Sequence, residues 1–170
     1  MPKRPPLPTG FSLVELTIVL VLLALLAAIA APKFIDLQRE ARAAALTQFA
    51  ASVAAANRQL EMLAKMPSYR AQPVQGRPDL TDVDIDGDGH FETRLKCANL
   101  DNTDVLKRLD YSDDKFTWQL DDPEYLYVGF APSNRLLSSQ CYFRYTQANG
   151  SNNSCPVGAK AHYQLETSGC

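Results

Sequence analysis

The chain has 170 residues, 46% of them apolar, and a formal charge of −2 at neutral pH. That length suffices for one domain with a real core. The near-neutral charge gives no indication of nucleic-acid binding, and removing Lys3 and Arg4 takes the charge from −2 to −4.

The apolar residues are concentrated at the front of the chain. From Phe11 to Ala31 the only polar members are Ser12, Glu15 and Thr17, and at 1.5 Å per residue this run spans about 31 Å, one bilayer core. A membrane-spanning helix is expected there. Lys3 and Arg4 precede it with no acid nearby, so the positive-inside bias keeps the N-terminus cytoplasmic, although Lys33, Arg39 and Arg42 beyond the span act against that bias. A secretory signal peptide also begins with basic and apolar residues, but its apolar core is shorter and ends at a small-residue cleavage site. Here the run continues into "APKFIDLQREARAAALTQFAASVAAANRQLEMLAKM".

Along that continuation, apolar residues fall at Phe34, Leu37, Ala41, Ala45, Phe49, Val53, Ala56, Leu60 and Leu63, always three or four apart. This spacing marks one face of an amphipathic helix. Pro32 removes one backbone donor and is expected to kink or loosen the helix without ending it. The first half therefore reads as one helix from about residue 11 to Met66, stopping before Pro67.

Gly10, Phe11, a hydroxyl residue, aliphatics, Glu15 and about twenty apolar residues ending at Pro32 resemble the prepilin signature of type IV pilins and of type II secretion pseudopilins. The stretch "APKFIDLQREARAAAL" is most similar to the major pilins of the mannose-sensitive haemagglutinin (MSHA) type. Where such pilins usually carry a glycine near the middle of the span, this chain has Ala24. The resemblance implies removal of a leader, residues 1–10, by a prepilin peptidase cutting between Gly10 and Phe11. It further implies N-methylation of Phe11, insertion in the inner membrane, and polymerisation by an assembly platform and its ATPase into an extracellular filament. Adhesion and biofilm formation are the implied roles. The type II secretion pseudopilin is the alternative.

Glu15 then acquires a purpose. A carboxylate within hydrocarbon costs roughly 2.5 kcal/mol or more. After cleavage, the amine of Phe11 is a cation about one helical turn away, and in a filament a neighbour's amine can reach the same carboxylate. Pairing makes the burial tolerable. The resemblance thus assigns Glu15 and Pro32 to assembly.

The second half has another texture. The run from Pro67 to Asp88 is rich in proline and glycine and reads as an irregular connector. It is followed by "HFETRLKC", "KFTWQL", "EYLYVGFA", "QCYFRYTQ" and "AKAHYQLE", all strand-like, with a short helix in "NTDVLKRL" capped by Asn102 or Thr103. An α+β fold is expected: a long N-terminal helix, with 11–32 as membrane span and 33–66 as amphipathic half, packed on an antiparallel sheet in a C-terminal domain, 67–170.

Four cysteines without a C-x-x-C pair, in an exported segment, point to disulfides. If "CYFRYTQ" and "AKAHYQLETSGC" form a hairpin, Cys141 comes level with Cys170, which favours that pair. It also resembles the disulfide-bounded C-terminal loop of type IV pilins, here 141–170. Cys97 and Cys155 remain for each other or for another arrangement.

In "DVDIDGDGHFE", Asp84, Asp86, Asp88 and Gly89 match the calcium loop D-x-[DN]-x-[DN]-G-x5-E, but the bidentate position falls on Leu95. Asp84, Asp86, Asp88 and Glu92 form an incomplete calcium set, against the plainer reading of a solvated acidic turn. No catalytic motif occurs; His90 and His162 read as ordinary surface residues, and the expectation is a protein that is not an enzyme.

Overall fold

The computed structural model describes residues 10–109, 111, 115–121, 123–149 and 153–170. The expected leader, apart from Gly10, lies outside these residues. The fold is α+β, as the sequence reading expects. A long N-terminal helix, α1 (Leu13–Leu63), precedes eight strands in two antiparallel sheets. The chain divides into two compact units, one ending at Arg39 and the other being Glu40–Cys170.

In the first unit α1 passes through Pro32 without interruption. Every residue from Gly10 to Arg39 is exposed. Leu13, Ile18, Leu20, Leu23 and Ile29 are among the large side chains left without cover.

In the second unit α1 becomes a core element. Leu46, Phe49, Val53, Ala56 and Leu60 are buried in one apolar cluster with Val83, Leu95 and Leu100 of the first sheet and Leu126, Val128, Phe143 and Tyr145 of the second. Each large side chain buried this way contributes about 1.5 to 3 kcal/mol of transfer free energy. Along the apolar stripe expected from Phe34 onward, Phe34, Leu37 and Ala41 are exposed, Ala45 is half-buried, and burial begins at Phe49. The helix stops at Leu63 and not at Met66, where Lys65 and Met66 donate to the carbonyls of Met62 and Leu63 in tight turns.

The first sheet orders β1 (Arg70–Val74), β2 (Arg77–Asp84), β3 (Thr93–Lys96) and β4 (Asn99–Leu100). Its first two strands correct the expectation of an irregular connector. Val74 pairs with Arg77 across Gln75 and Gly76, and Gly76 takes a positive φ of 76°, which a glycine adopts without steric cost. Pro73 is tolerated because β1 is an edge strand. The β3–β4 turn also has two residues, Cys97 and Ala98, with φ of 48° and 62°. Non-glycine residues are strained there, and the Cys97–Cys155 disulfide together with Asn99 Nδ2 donating to the Cys97 carbonyl at 2.8 Å holds them.

Between the sheets lies α2 (Val105–Arg108), whose N-cap is Asp104 and not the expected Asn102 or Thr103. Asp104 makes no capping bond, since its carboxylate accepts instead from the Arg94 backbone N–H and from Lys107 Nζ.

The second sheet is a meander of β5 (Thr117–Asp121), β6 (Tyr125–Gly129), β7 (Tyr142–Thr146) and β8 (His162–Glu166). Cys141 is bonded to Cys170, just outside the β7–β8 pairing of Tyr142 with Glu166. Gly129 is required there, since a Cβ would come within 2.5 Å of the Cys141 carbonyl oxygen. Arg42 of α1 stacks over Phe130, 5.7 Å from its ring centre.

One polar side chain joins helix and sheets. Asn57 is 4% exposed; its Oδ1 accepts from the Leu100 N–H at 2.8 Å, and its Nδ2 donates to the Tyr163 hydroxyl at 2.7 Å. The Tyr145 hydroxyl donates to the Leu100 carbonyl at 2.6 Å, and burial pushes its pKa well above the ordinary tyrosine value. Replacing Asn57 with Ala orphans a buried N–H, so Asn57→Ala is expected to destabilise the chain by about 2 to 4 kcal/mol in equilibrium urea unfolding. A loss below about 0.5 kcal/mol would contradict this role.

Candidate functional site

Two regions gather the residues that the sequence singles out. The first is the start of α1. Ser12 precedes the first helical residue, and its Oγ accepts from the Glu15 N–H at 3.1 Å, while the Ser12 carbonyl accepts from Leu16. Ser12-Leu13-Val14-Glu15 is thus the sequence of a capping box, of which the serine half is formed. Sequence reasoning missed it, although a serine three residues before a glutamate at the head of an apolar run is its signal. Glu15 therefore sits in the first turn, where a carboxylate complements the positive end of the helix dipole.

Gly10 is exposed, and a Cβ built on it meets nothing within 4 Å. The fold thus imposes no glycine at this position. Any requirement for glycine comes from a molecule that reads the segment from outside. Beyond it, the exposed apolar surface from Phe11 onward is longer than soluble monomers tolerate and needs lipid or another protein as its solvent. By length and composition α1 is able to cross a membrane.

The second region is the β2–β3 connection. Asp84 closes β2 and is 3% exposed, whereas Asp86, Asp88 and Glu92 are exposed. Gly87 and Gly89, at φ of 83° and 93°, curl the backbone, so that the Gly87 and Gly89 N–H groups donate to the two oxygens of Asp84 at 2.7 and 3.0 Å. Asp86 and Asp88 accept from Asp88 and His90 N–H groups, and Glu92 reaches back to the Ile85 N–H at 2.9 Å.

The result brings one oxygen from each of Asp84, Asp86, Asp88 and Glu92 within 4.8 Å of the others. Calcium binds oxygens at about 2.3 to 2.6 Å, so oxygens up to roughly 5 Å apart can share one ion. Leu95 occupies the place of the bidentate glutamate and is buried in the core, which closes that seat. Asp82 stays out of the group because Arg94 holds both its oxygens, at 2.8 and 3.0 Å. The arrangement can serve as a staple between β2 and β3. His90 is exposed beside it, and His162 is exposed on β8.

Comparison with known proteins finds no matching family model, no similar curated sequence and no similar solved structure.

If the four carboxylates hold calcium, millimolar calcium should raise the melting temperature of the chain above its value in chelator, since a ligand of the folded state alone stabilises it. Asp86→Asn with Asp88→Asn should abolish that difference. Identical melting in calcium and chelator would leave the cluster as a solvated acidic turn.

Proposed function

We propose that the chain is the structural subunit of a type IV pilus of the MSHA kind, polymerising through its N-terminal helix into a surface filament for cell attachment and biofilm formation. The observation that carries this reading is the combination at the start of α1: a glycine that the fold does not need, directly followed by a capped helix whose apolar surface is exposed among the described residues. A prepilin peptidase is the outside reader that Gly10 requires, and neighbouring copies of the same helix are the cover.

In this reading the subunit waits in the inner membrane with its N-terminus cytoplasmic. Cleavage after Gly10 frees the amine of Phe11, which is then methylated. Afterwards the carboxylate can pair with an amine, its own or that of the copy beside it, and the second choice fixes the axial register. An assembly platform and its ATPase supply the work of extraction from lipid. The chain performs no catalysis.

A type II secretion pseudopilin shares the same N-terminal chemistry and differs in what the filament does. The disulfide-closed segment from Cys141 to Cys170 favours the pilin, as the resemblance assigns that loop to pilins.

The reading is tested by two measurements. Intact mass of the mature chain should correspond to N-methylated Phe11. Glu15→Ala, in cells lacking the unmodified chain, should leave cleavage and insertion intact while cutting incorporation into filaments at least about tenfold, because it deletes a charge that is costly in lipid and useful only when paired. A retained leader, or normal assembly of Glu15→Ala, would overturn it.

A further inference from the structure

The two disulfides differ in what surrounds them. Cys141 and Cys170 are 4% and 7% exposed and belong to the apolar core. The backbone beside them is closed as well: the Gly169 N–H donates to the Gln140 carbonyl at 2.9 Å, and a Cβ on Gly169 would meet the Ser139 carbonyl oxygen at 1.9 Å. Reaching that sulfur pair requires the core to open.

Cys97–Cys155 lies at the surface. Cys155 is exposed and Cys97 half-buried, and neither belongs to the apolar cluster. Every residue from Asn153 to Gly158 is exposed. Val157 stands wholly in solvent on a tight turn in which the Ala159 N–H donates to the Pro156 carbonyl at 3.0 Å. The end of this segment is fastened through Asn99, whose Nδ2 donates to the Ala159 carbonyl at 3.4 Å and whose Oδ1 accepts from the Ala161 N–H at 3.3 Å. Both bonds are long, so the disulfide is a principal tie between the segment and the first sheet.

The other half of the bond sits in the β3–β4 turn. Cys97 and Ala98 are left-handed without being glycine, a conformation that costs L-residues free energy. Opening the disulfide lets this turn relax, so the local backbone favours the open form, while the core loses no member.

We propose that Cys97–Cys155 is a thiol–disulfide exchange site of the folded chain, opened by a dithiol oxidoreductase of the thioredoxin-like class that attacks Cys155 Sγ. Access selects the sulfur that is attacked, and Cys155 is the more exposed of the two. The attacking thiolate forms a mixed disulfide with Cys155, and Cys97 leaves as a thiolate that takes up a proton. The second thiol of the reductant then displaces Cys155, which is protonated in turn. The chain gains two electrons and two protons, and the reductant becomes its own disulfide. Opening frees the 153–161 segment and the β3–β4 turn and leaves the packing of α1 on the sheets intact.

The test uses the full chain in detergent under native conditions, treated with limiting dithiothreitol, quenched with iodoacetamide and mapped by peptide mass. Cys97 and Cys155 should be labelled at least about tenfold faster than Cys141 and Cys170, whose attack must wait for local opening. In denaturant the four should react at similar rates. Thioredoxin with its second active-site cysteine replaced by serine should be captured as a covalent adduct on Cys155. With only Cys97–Cys155 open, unfolding should stay cooperative, and faster amide exchange should be confined to residues 96–99 and 153–161. Equal labelling of both pairs, earlier opening of Cys141–Cys170, or a rate difference that persists in denaturant would overturn the proposal. So would failure to capture thioredoxin, its capture on Cys97, or loss of cooperative unfolding once Cys97–Cys155 is open.

Discussion

An apolar helix surface in water is the constraint on which this molecule turns. Helix α1 meets it in two ways along one continuous element. From Leu46 to Leu60 it supplies its own answer, since the two sheets bury that face and the face in turn gives them a common core. From Phe11 to Arg39 every residue is exposed among the described residues. That second stretch can be stable only in lipid or against another protein, and the proposed membrane insertion and polymerisation are two successive solutions to one problem.

The folded unit is organised to make the first solution firm. Its two sheets share no strand; the core face of α1 packs against both, Asn57 links Leu100 to Tyr163, and Tyr145 bonds the Leu100 carbonyl directly. A polar group in an apolar seam favours one register, because only one placement satisfies its donors and acceptor. The two disulfides act at the edges of the same arrangement. One holds the strained β3–β4 turn and the other ties the end of the chain to the start of β7. Together they constrain segments that have few apolar residues of their own.

How much of this was legible depended on whether a residue's role is local. The apolar spacing along α1 marks the helix, and the face carrying Phe49, Val53, Leu60 and Leu63 in that pattern is the one that packs on the sheets, with Leu63 only partly buried. The later strands were marked by their aromatic and β-branched residues. By contrast β1 was hidden, since Arg70, Gln72 and Pro73 show no alternation and the strand exists as an edge beside β2. The β3–β4 hairpin was hidden too, because Cys97 and Ala98 are not turn residues by preference and adopt their conformation under tertiary restraint. Asn57 carries no signal in the sequence, its partners being 43 and 106 positions away. The acidic loop was legible as a ligand set, yet the spacing alone did not show that Asp84 is buried or that Asp82 belongs to Arg94.

The central claim is that the exposed half of α1 is covered by further copies of itself. Photocrosslinking from Val19 and from Leu26 in living cells measures that most directly. The account predicts crosslinked dimers and higher multimers of this chain from both positions, in material shed from the cell surface. Crosslinks to lipid alone, or to a different protein with no self-linked species, would contradict it.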